Sequence, residues 1–353
     1  MFTCKMARDI PLVAAPSADP AQMDLVRLLR AARLVSSPSP VVRPLSGGVS
    51  CDILLIEDGD KRIVVKRALE KLRVKDDWFA DTVRNRYEQA YMRYANEIVP
   101  GSVPRILHAD HDRNFFAMEY LGAGWTNWKT ELLAGRIEAR YGRIAGETLG
   151  AIHQASWDES ALREAFATTG NFIKLRIEPY LLTTGARNPT LETHFKAEAR
   201  RLASVSLALV HGDFSPKNIM LHPSSARMMI LDCEVAWFGD PAFDVAFFAN
   251  HLLLKALHRP ADKEGHLSIM TSFLKAYRIG LGRYWSKALE TRATRLLLML
   301  LLARVDGKSP VEYLLDKPGK LGLVREFVTR ELPRPPDTFA TLAAKWSAAL
   351  PQS

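Results

Sequence analysis

A chain of 353 residues, 48% of them apolar, exceeds the size at which one hydrophobic core usually stops growing, so two lobes of unequal size are expected. Lys and Arg outnumber Asp and Glu by 48 to 39, which attracts anions and nucleotides, but the basic residues are scattered through 27–33, 61–75 and 292–308 with no aromatic-interleaved tract, so no nucleic-acid partner is expected. Cys4, Cys51 and Cys233 are too few and too far apart for a disulfide framework or a zinc site, Asp9 and Pro11 break any signal-peptide core, and the apolar run 296–303 is less than half a membrane span; a cytoplasmic protein without a membrane partner is expected.

Residues 1–20 read as a loose arm, followed by a helix over 21–35 on which Met23, Val26, Leu29 and Leu34 approach helical spacing. A β-rich block comes next: VVRPL (41–45), the glycine loop SGGVS (46–50), CDILLIE (51–57), a tight turn at Asp58-Gly59-Asp60, and KRIVVKRA (61–68). A helix over 82–96 carries Val83, Tyr87, Ala90, Tyr91 and Tyr94 on one stripe with Glu88 at its edge, and VPRILHAD (103–110) and NFFAMEYL (114–121) supply two more strands. After Leu121 a glycine-containing connector leads to a long amphipathic segment over 131–156. Two short strands, SLALVH (206–211) and RMMILD (227–232), flank the motif LVHGDFSPKNIM (209–220); the chain is then helical from 241 to about 303, and PRPP (333–336) precedes a last helix. A small antiparallel sheet with one helix, a hinge and a larger helical lobe predicts a cleft between two lobes.

The motif carries the chemistry. Asn218 follows Asp213 by five residues and Asp232 follows it by nineteen, at the end of the apolar run MMIL. Two strands joined by a short turn return Asp232 to Asn218, and one carboxylate with one amide oxygen suits a magnesium ion completed by water and substrate phosphates. Asp213, near the metal but not on it, is free to accept a proton from an attacking hydroxyl. Glu234, on the same strand side as Asp232, is placed to assist at the metal. Ser46-Gly47-Gly48 lacks Cβ bulk where a backbone approaches phosphates, although a glycine pair in a hairpin is ordinarily only a turn. Lys66 lies in an apolar strand and needs a partner or a route to water; Glu88 is the candidate, and such a pair presents an ammonium to nucleotide phosphates.

Taken in order, LSGGVS, VVK, the helix glutamate Glu88, MEYL, HGDFSPKN and LDCEVAWFGDPAFDVAFF resemble the kinase-like phosphotransferases over residues 41–255, a superfamily that holds aminoglycoside phosphotransferases, choline kinases, homoserine kinases and methylthioribose kinases. The resemblance implies an α+β, two-lobed protein-kinase-like fold with a small antiparallel-sheet N-lobe and a larger, mostly helical C-lobe. Its expected limits are an N-terminal arm and helix in 1–35, a nucleotide-binding lobe in 36–118, a hinge in 119–124, and a catalytic and acceptor-binding lobe in 125–353. It implies ATP and magnesium as cofactors, Asp213 as catalytic base, Asn218 and Asp232 on magnesium, and Lys66 on the α- and β-phosphates. The backbone from Glu119 to Leu121 would meet adenine, and Asp244 would steady the catalytic loop. KRALEKLRVKDDW (66–78), RNRYEQAYMRYA (84–95), VPRILHAD and FDVAFFANHLLL lean toward methylthioribose kinases, whereas 295–314 departs from that pattern.

His211 is expected to brace the loop by hydrogen bonding rather than act as a base, and Trp78, Trp125 and Trp128 to pack in the core or hinge. Lys217 either neutralises the transferring phosphate or faces solvent; Arg304, Asp306 and Lys308 are a polar helix cap or a substrate clamp. The segments expected to form the acceptor lip, 125–140 and 292–308, carry Lys129, Arg136, Arg140, Arg292, Arg295, Arg304 and Lys308 against Glu131, Glu138 and Asp306. A neutral or anionic small-molecule hydroxyl acceptor, with a methylthioribose-like pentose first, is therefore expected over a polycationic aminoglycoside. A choline- or homoserine-type kinase and a non-catalytic nucleotide-binding module are the other readings.

Overall fold

The computed structural model describes residues 20–45, 51–69 and 81–351, so the expected arm over 1–19, the glycine loop and Trp78 lie outside the described residues. Helix α1 (Pro20–Ala31) precedes a five-stranded antiparallel sheet of β1 (Val41–Pro44), β2 (Cys51–Asp58), β3 (Lys61–Ala68), β4 (Ile106–Asp110) and β5 (Phe115–Glu119), ordered β1-β2-β3-β5-β4, with α2 (Arg84–Ile98) between β3 and β4. The β-branched content of β2 and β3 puts them at the centre, and Ile63, Val64, Val65 and Lys66 are all buried there. Side chains alternate along a strand, so Ile63 and Val65 pack with Leu25 and Leu29 of α1, while Lys66 faces the other side, toward α2. Met23, expected on that helical stripe, is exposed. The β2–β3 hairpin turns through Gly59-Asp60, within the expected turn over 58–60, with Asp58 paired to Lys61 and Gly59 at φ +62°.

The second lobe begins with β6 (Thr126–Asn127), α3 (Trp128–Leu133) and α4 (Ala139–Ala155). The single segment expected over 131–156 is thus two helices, because Gly135, at φ +81°, ends the first of them. There follow α5 (Ser160–Ala165), α6 (Thr169–Phe172), a π-helical stretch Ile173–Leu182, α7 (Thr183–Arg187) and α8 (Glu192–Ser204). Four short strands surround the motif: β7 (Ala208–Val210) pairs with β10 (Trp237–Gly239), while β8 (Ile219–His222) and β9 (Arg227–Ile230) form a hairpin beside β6. The remainder is α9 (Ala242–His258), α10 (Lys263–Leu281), α11 (Lys287–Asp306), α12 (Pro318–Glu331) and α13 (Phe339–Ala349). Apolar on every side, α9 is buried from Ala242 to Leu257 and forms the axle of the lobe. Tyr91, Met92 and Ala95 of α2 join the same core, so α2 links the two lobes. No helix among the described residues is long and apolar enough to cross a membrane.

Helices α4 and α10 approach closely because Gly142, Gly146 and Gly150 face α10 on successive turns. A Cβ on Gly146 would lie 2.3 Å from the Phe273 carbonyl oxygen. That overlap outweighs the ~1 kcal/mol by which alanine is the better helix former, so Gly146→Ala should destabilise the protein by about 1–3 kcal/mol. The denaturation midpoint reads the loss, with Gly122→Ala, whose Cβ meets no atom within 4 Å, as the unchanged control; equal midpoints would contradict the packing account.

Candidate active site

After β7 the chain turns sharply through His211, Gly212 and Asp213. Gly212 sits at φ +78°, and a Cβ there would lie 2.5 Å from the Val235 carbonyl oxygen. Asp244, in the first turn of α9, accepts the backbone N–H of His211 at 2.7 Å and of Gly212 at 2.9 Å, one on each carboxylate oxygen. His211 Nδ1 accepts the Asp213 backbone N–H at 3.1 Å, so its proton lies on Nε2, which donates to the Leu231 carbonyl at 3.1 Å. Burial pushes the His211 pKa below its ordinary value. The imidazole is a neutral brace. From the far end of the loop, the Asn218 amide donates to the Asp213 carbonyl at 3.1 Å, and Leu231 N–H donates to the Asn218 carbonyl at 2.8 Å. The β8–β9 hairpin, with Ile219 opposite Ile230, returns Asp232 beside Asn218. Asp232 takes a left-handed φ of +62°, which aspartate tolerates better than most side chains.

Lys66 bridges two carboxylates, Glu88 of α2 at 2.7 Å and Asp232 at 2.5 Å. Burial alone would lower its pKa, but Asp232 and Glu88 raise it well above the usual lysine range. Burial would raise Asp232, yet Lys66 and Lys217 hold it well below the usual carboxylate range. With one ammonium shared, Glu88 is the weaker acid: burial pushes it up to about 7 against the pull of Lys66, and its Oε2 is buried without a partner. The chain leaves β9 at Ile230, so strand alternation does not carry Glu234 to the Asp232 side. Its carboxylate accepts from Arg84 of α2 at 3.0 Å and from the Cys51 thiol at 3.3 Å, a second tie between hairpin and N-lobe.

Arg176, in the π-helical stretch, is the residue that the sequence reading missed. Its Nη2 lies 3.1 Å from Asp213 Oδ2, its Nε donates to the Gly212 carbonyl at 2.5 Å, and its guanidinium lies over Tyr180 and Phe247. The signal was an arginine among Leu175, Ile177 and Tyr180, all buried. The Asp213 carboxylate, ahead of Asp232, raises the Lys217 pKa above its ordinary value. Glu119 ends β5, its N–H donating to the Arg105 carbonyl at 3.0 Å, and Leu121 lies in the crossing between the lobes. Ser46, Gly47 and Gly48 lie outside the described residues. Trp128 is core, and Trp125 packs edge-on to His222.

The lip cations divide. Arg136 and Arg140 pair with Glu131 and Glu138, Arg292 clasps buried Asp240, and Asp306 pairs with Arg325. Lys129 pairs with Glu312, and Arg304 donates to the Tyr180 hydroxyl and to Ser309.

No group of three or more His, Cys, Asp or Glu side chains gathers to hold a metal among the described residues. Magnesium does not require one, since it is commonly bound through one or two carboxylates with substrate phosphates and water. Asp232, part-exposed, and Asn218, whose amide nitrogen is spent on Asp213 while its oxygen is not, fit that donor set.

Residues 41–288 match the phosphotransferase enzyme family APH. The chain belongs to that family. Probable acyl-CoA dehydrogenase IBR3 of Arabidopsis thaliana is 28% identical over 201 residues, 49% of this chain and 24% of that protein. Methylthioribose kinase of Escherichia coli O45:K1 is 25% identical over 241 residues, 59% of this chain and 56% of the kinase. The chain therefore spans between a quarter and just over half of the length of these curated relatives. A solved structure of amicoumacin kinase hAmiN with AMP-PNP, Ca2+ and Ami superposes with a TM-score of 0.51 at 14% identity, covering 90% of this chain and 96% of that one. This phosphotransferase-family chain thus has the two-lobed kinase-like fold that its motifs imply.

A raised Glu88 pKa means that the folded protein holds more protons than the unfolded chain between about 4.5 and about 7. Its contribution to stability is therefore full below 4.5 and lost as pH rises through 7. Glu88→Gln should flatten the stability-against-pH curve over that window, measured by urea unfolding; an unaltered slope would contradict the assignment.

Proposed function

We propose that this chain transfers the γ-phosphoryl group of ATP, with magnesium, to a hydroxyl of a small polar metabolite. The observation that carries the reading is the convergence of Lys66 from strand β3, Asp213 and Asn218 from the 211–218 loop and Asp232 from the end of the β8–β9 hairpin, with Asp213 held on one oxygen by Arg176. Asp213 accepts the proton of the attacking hydroxyl, Lys66 orients the phosphates of the nucleotide, and the Glu119–Leu121 backbone receives adenine. Ser46, Gly47 and Gly48 belong to the same proposal as the phosphate cradle. Asn218 and Asp232 would hold magnesium, which, when bound, neutralises charge on the transferring phosphates. The analogue-bound amicoumacin kinase supports nucleotide use through its shared fold.

For the acceptor, the methylthioribose kinases among the relatives and the four segments that lean toward them support a pentose as reference compound. An aminoglycoside fits less well, because Lys129, Lys217 and Arg304 repel a polycation.

Asp213→Ala should lower kcat by about 10²–10⁴-fold, the usual contribution of a positioned general base, with ATP affinity nearly unchanged. Asp232→Ala should weaken magnesium-dependent ATP binding itself. Both are read by calorimetry and a coupled assay; parental turnover in both variants would refute the assignment.

A further inference from the structure

Close to the Asp213 loop the chain gathers positive charge that it neutralises only in part. Lys255, near the end of α9, is 1% exposed, and its ammonium makes one hydrogen bond, to the His251 carbonyl of its own helix at 3.3 Å, with the Tyr313 ring 5.4 Å away. Among the described residues no carboxylate pairs with it. Arg304, in the last turn of α11, donates to Ser309 Oγ at 2.7 Å and to the Tyr180 hydroxyl at 3.2 Å, but its buried Nε has no partner, and it too lacks a carboxylate. The buried Tyr313 hydroxyl has no partner either. Lys129 of α3 completes the group, paired with Glu312, whose side chain is exposed.

Two connections join this cluster to the catalytic loop. The Asn127 amide, which caps α3, donates to the Lys217 carbonyl at 2.7 Å. Tyr180 lies under Arg176, the partner of Asp213, and its hydroxyl meets Arg304. Burial, Lys129 and Arg304 together pull the Lys255 ammonium down to about 7, with Glu312 alone opposing them. His251, one turn back on α9, is held well below its ordinary value by burial and by the same cations. Stability alone would place a leucine or methionine at position 255 of so apolar a helix, since a buried charge without a counter-ion is costly.

We propose that Lys255, Arg304 and Lys129, with the Tyr313 hydroxyl, form a subsite for an anionic group, a carboxylate or a phosphate ester, carried by the acceptor whose hydroxyl faces Asp213. The assignment of the ligand as acceptor rests on the phosphotransfer reading; the anion site itself does not. A neutral pentose leaves the cluster uncompensated, so the acceptor is a hydroxy acid or a sugar phosphate rather than methylthioribose itself.

The test uses the whole chain with magnesium and AMP-PNP, titrated calorimetrically with matched probes: ribose against ribose 5-phosphate, and glycerol against glycerate. In the wild type the charged member of at least one pair binds about tenfold or more tighter than the neutral one, and the pair that discriminates tells phosphate from carboxylate. Lys255→Met removes the discrimination, keeps AMP-PNP affinity and raises the thermal midpoint, because a costly buried charge is gone. Tyr313→Phe, which deletes a hydroxyl that no protein group uses, weakens the charged member with the fold intact. No preference for either charged member, or a preference that survives Lys255→Met, overturns the subsite. The same probes are then offered with ATP. Charged probes that bind with discrimination while no compound receives phosphate would sink the phosphotransfer reading and leave the subsite standing.

Discussion

Lys66 keeps its charge at 3% exposure only because Glu88 and Asp232 stand 2.7 and 2.5 Å away, and that bridge ties together the central strand of the sheet, helix α2 and the end of the β8–β9 hairpin. Removing one partner of a buried ion pair typically costs about 3–5 kcal/mol, because the other charge is left uncompensated. The pairing therefore constrains three elements at once. Arg84 repeats the device next to it, joining α2 to Glu234 beyond the same hairpin. The two bridges place the hairpin against the N-lobe independently of the chain that crosses between the lobes.

The loop that carries Asp213 is rigid without being regular structure. Its backbone N–H groups at 211, 212 and 213 are accepted in turn by Asp244, Asp244 and His211, and its carbonyls at 212 and 213 accept from Arg176 and Asn218. Each of these buried partners is fixed by α9, by the π-helical stretch or by the loop itself. Preorganisation of this kind is what a reaction dominated by positioning and charge demands.

Much of this arrangement was legible in the sequence because it is local. Asp213, Asn218 and Asp232 lie within one loop and one hairpin, so spacing alone brings them together, and period-2 alternation sends Lys66 away from the sheet's apolar face. The departures are long-range. Arg176 lies 37 positions before Asp213, and nothing in its own segment names the partner. The Arg84–Glu234 tie likewise spans 150 residues, beyond the end of the strand from which alternation would place Glu234. Lys255 was passed over in an apolar run, where a buried cation without a partner becomes visible only when the packing of α3, α9 and α11 is known.

On the proposed reading, the nucleotide side and the acceptor side carry opposite electrostatics. Around Lys66 carboxylates outnumber the ammonium; in the Lys255 cluster three cations stand against a single glutamate, Glu312, which pairs with Lys129. That asymmetry suits a magnesium-bound nucleotide on one side and an anionic acceptor on the other. The most direct measurement of the central claim is phosphorus NMR of the wild-type chain with Mg-ATP and a mixture of hydroxylated metabolites. The account predicts that the γ-phosphate resonance is consumed as a phosphomonoester resonance grows, with ADP formed in equal amount. An unchanged ATP spectrum, or release of inorganic phosphate alone across the whole mixture, would contradict it.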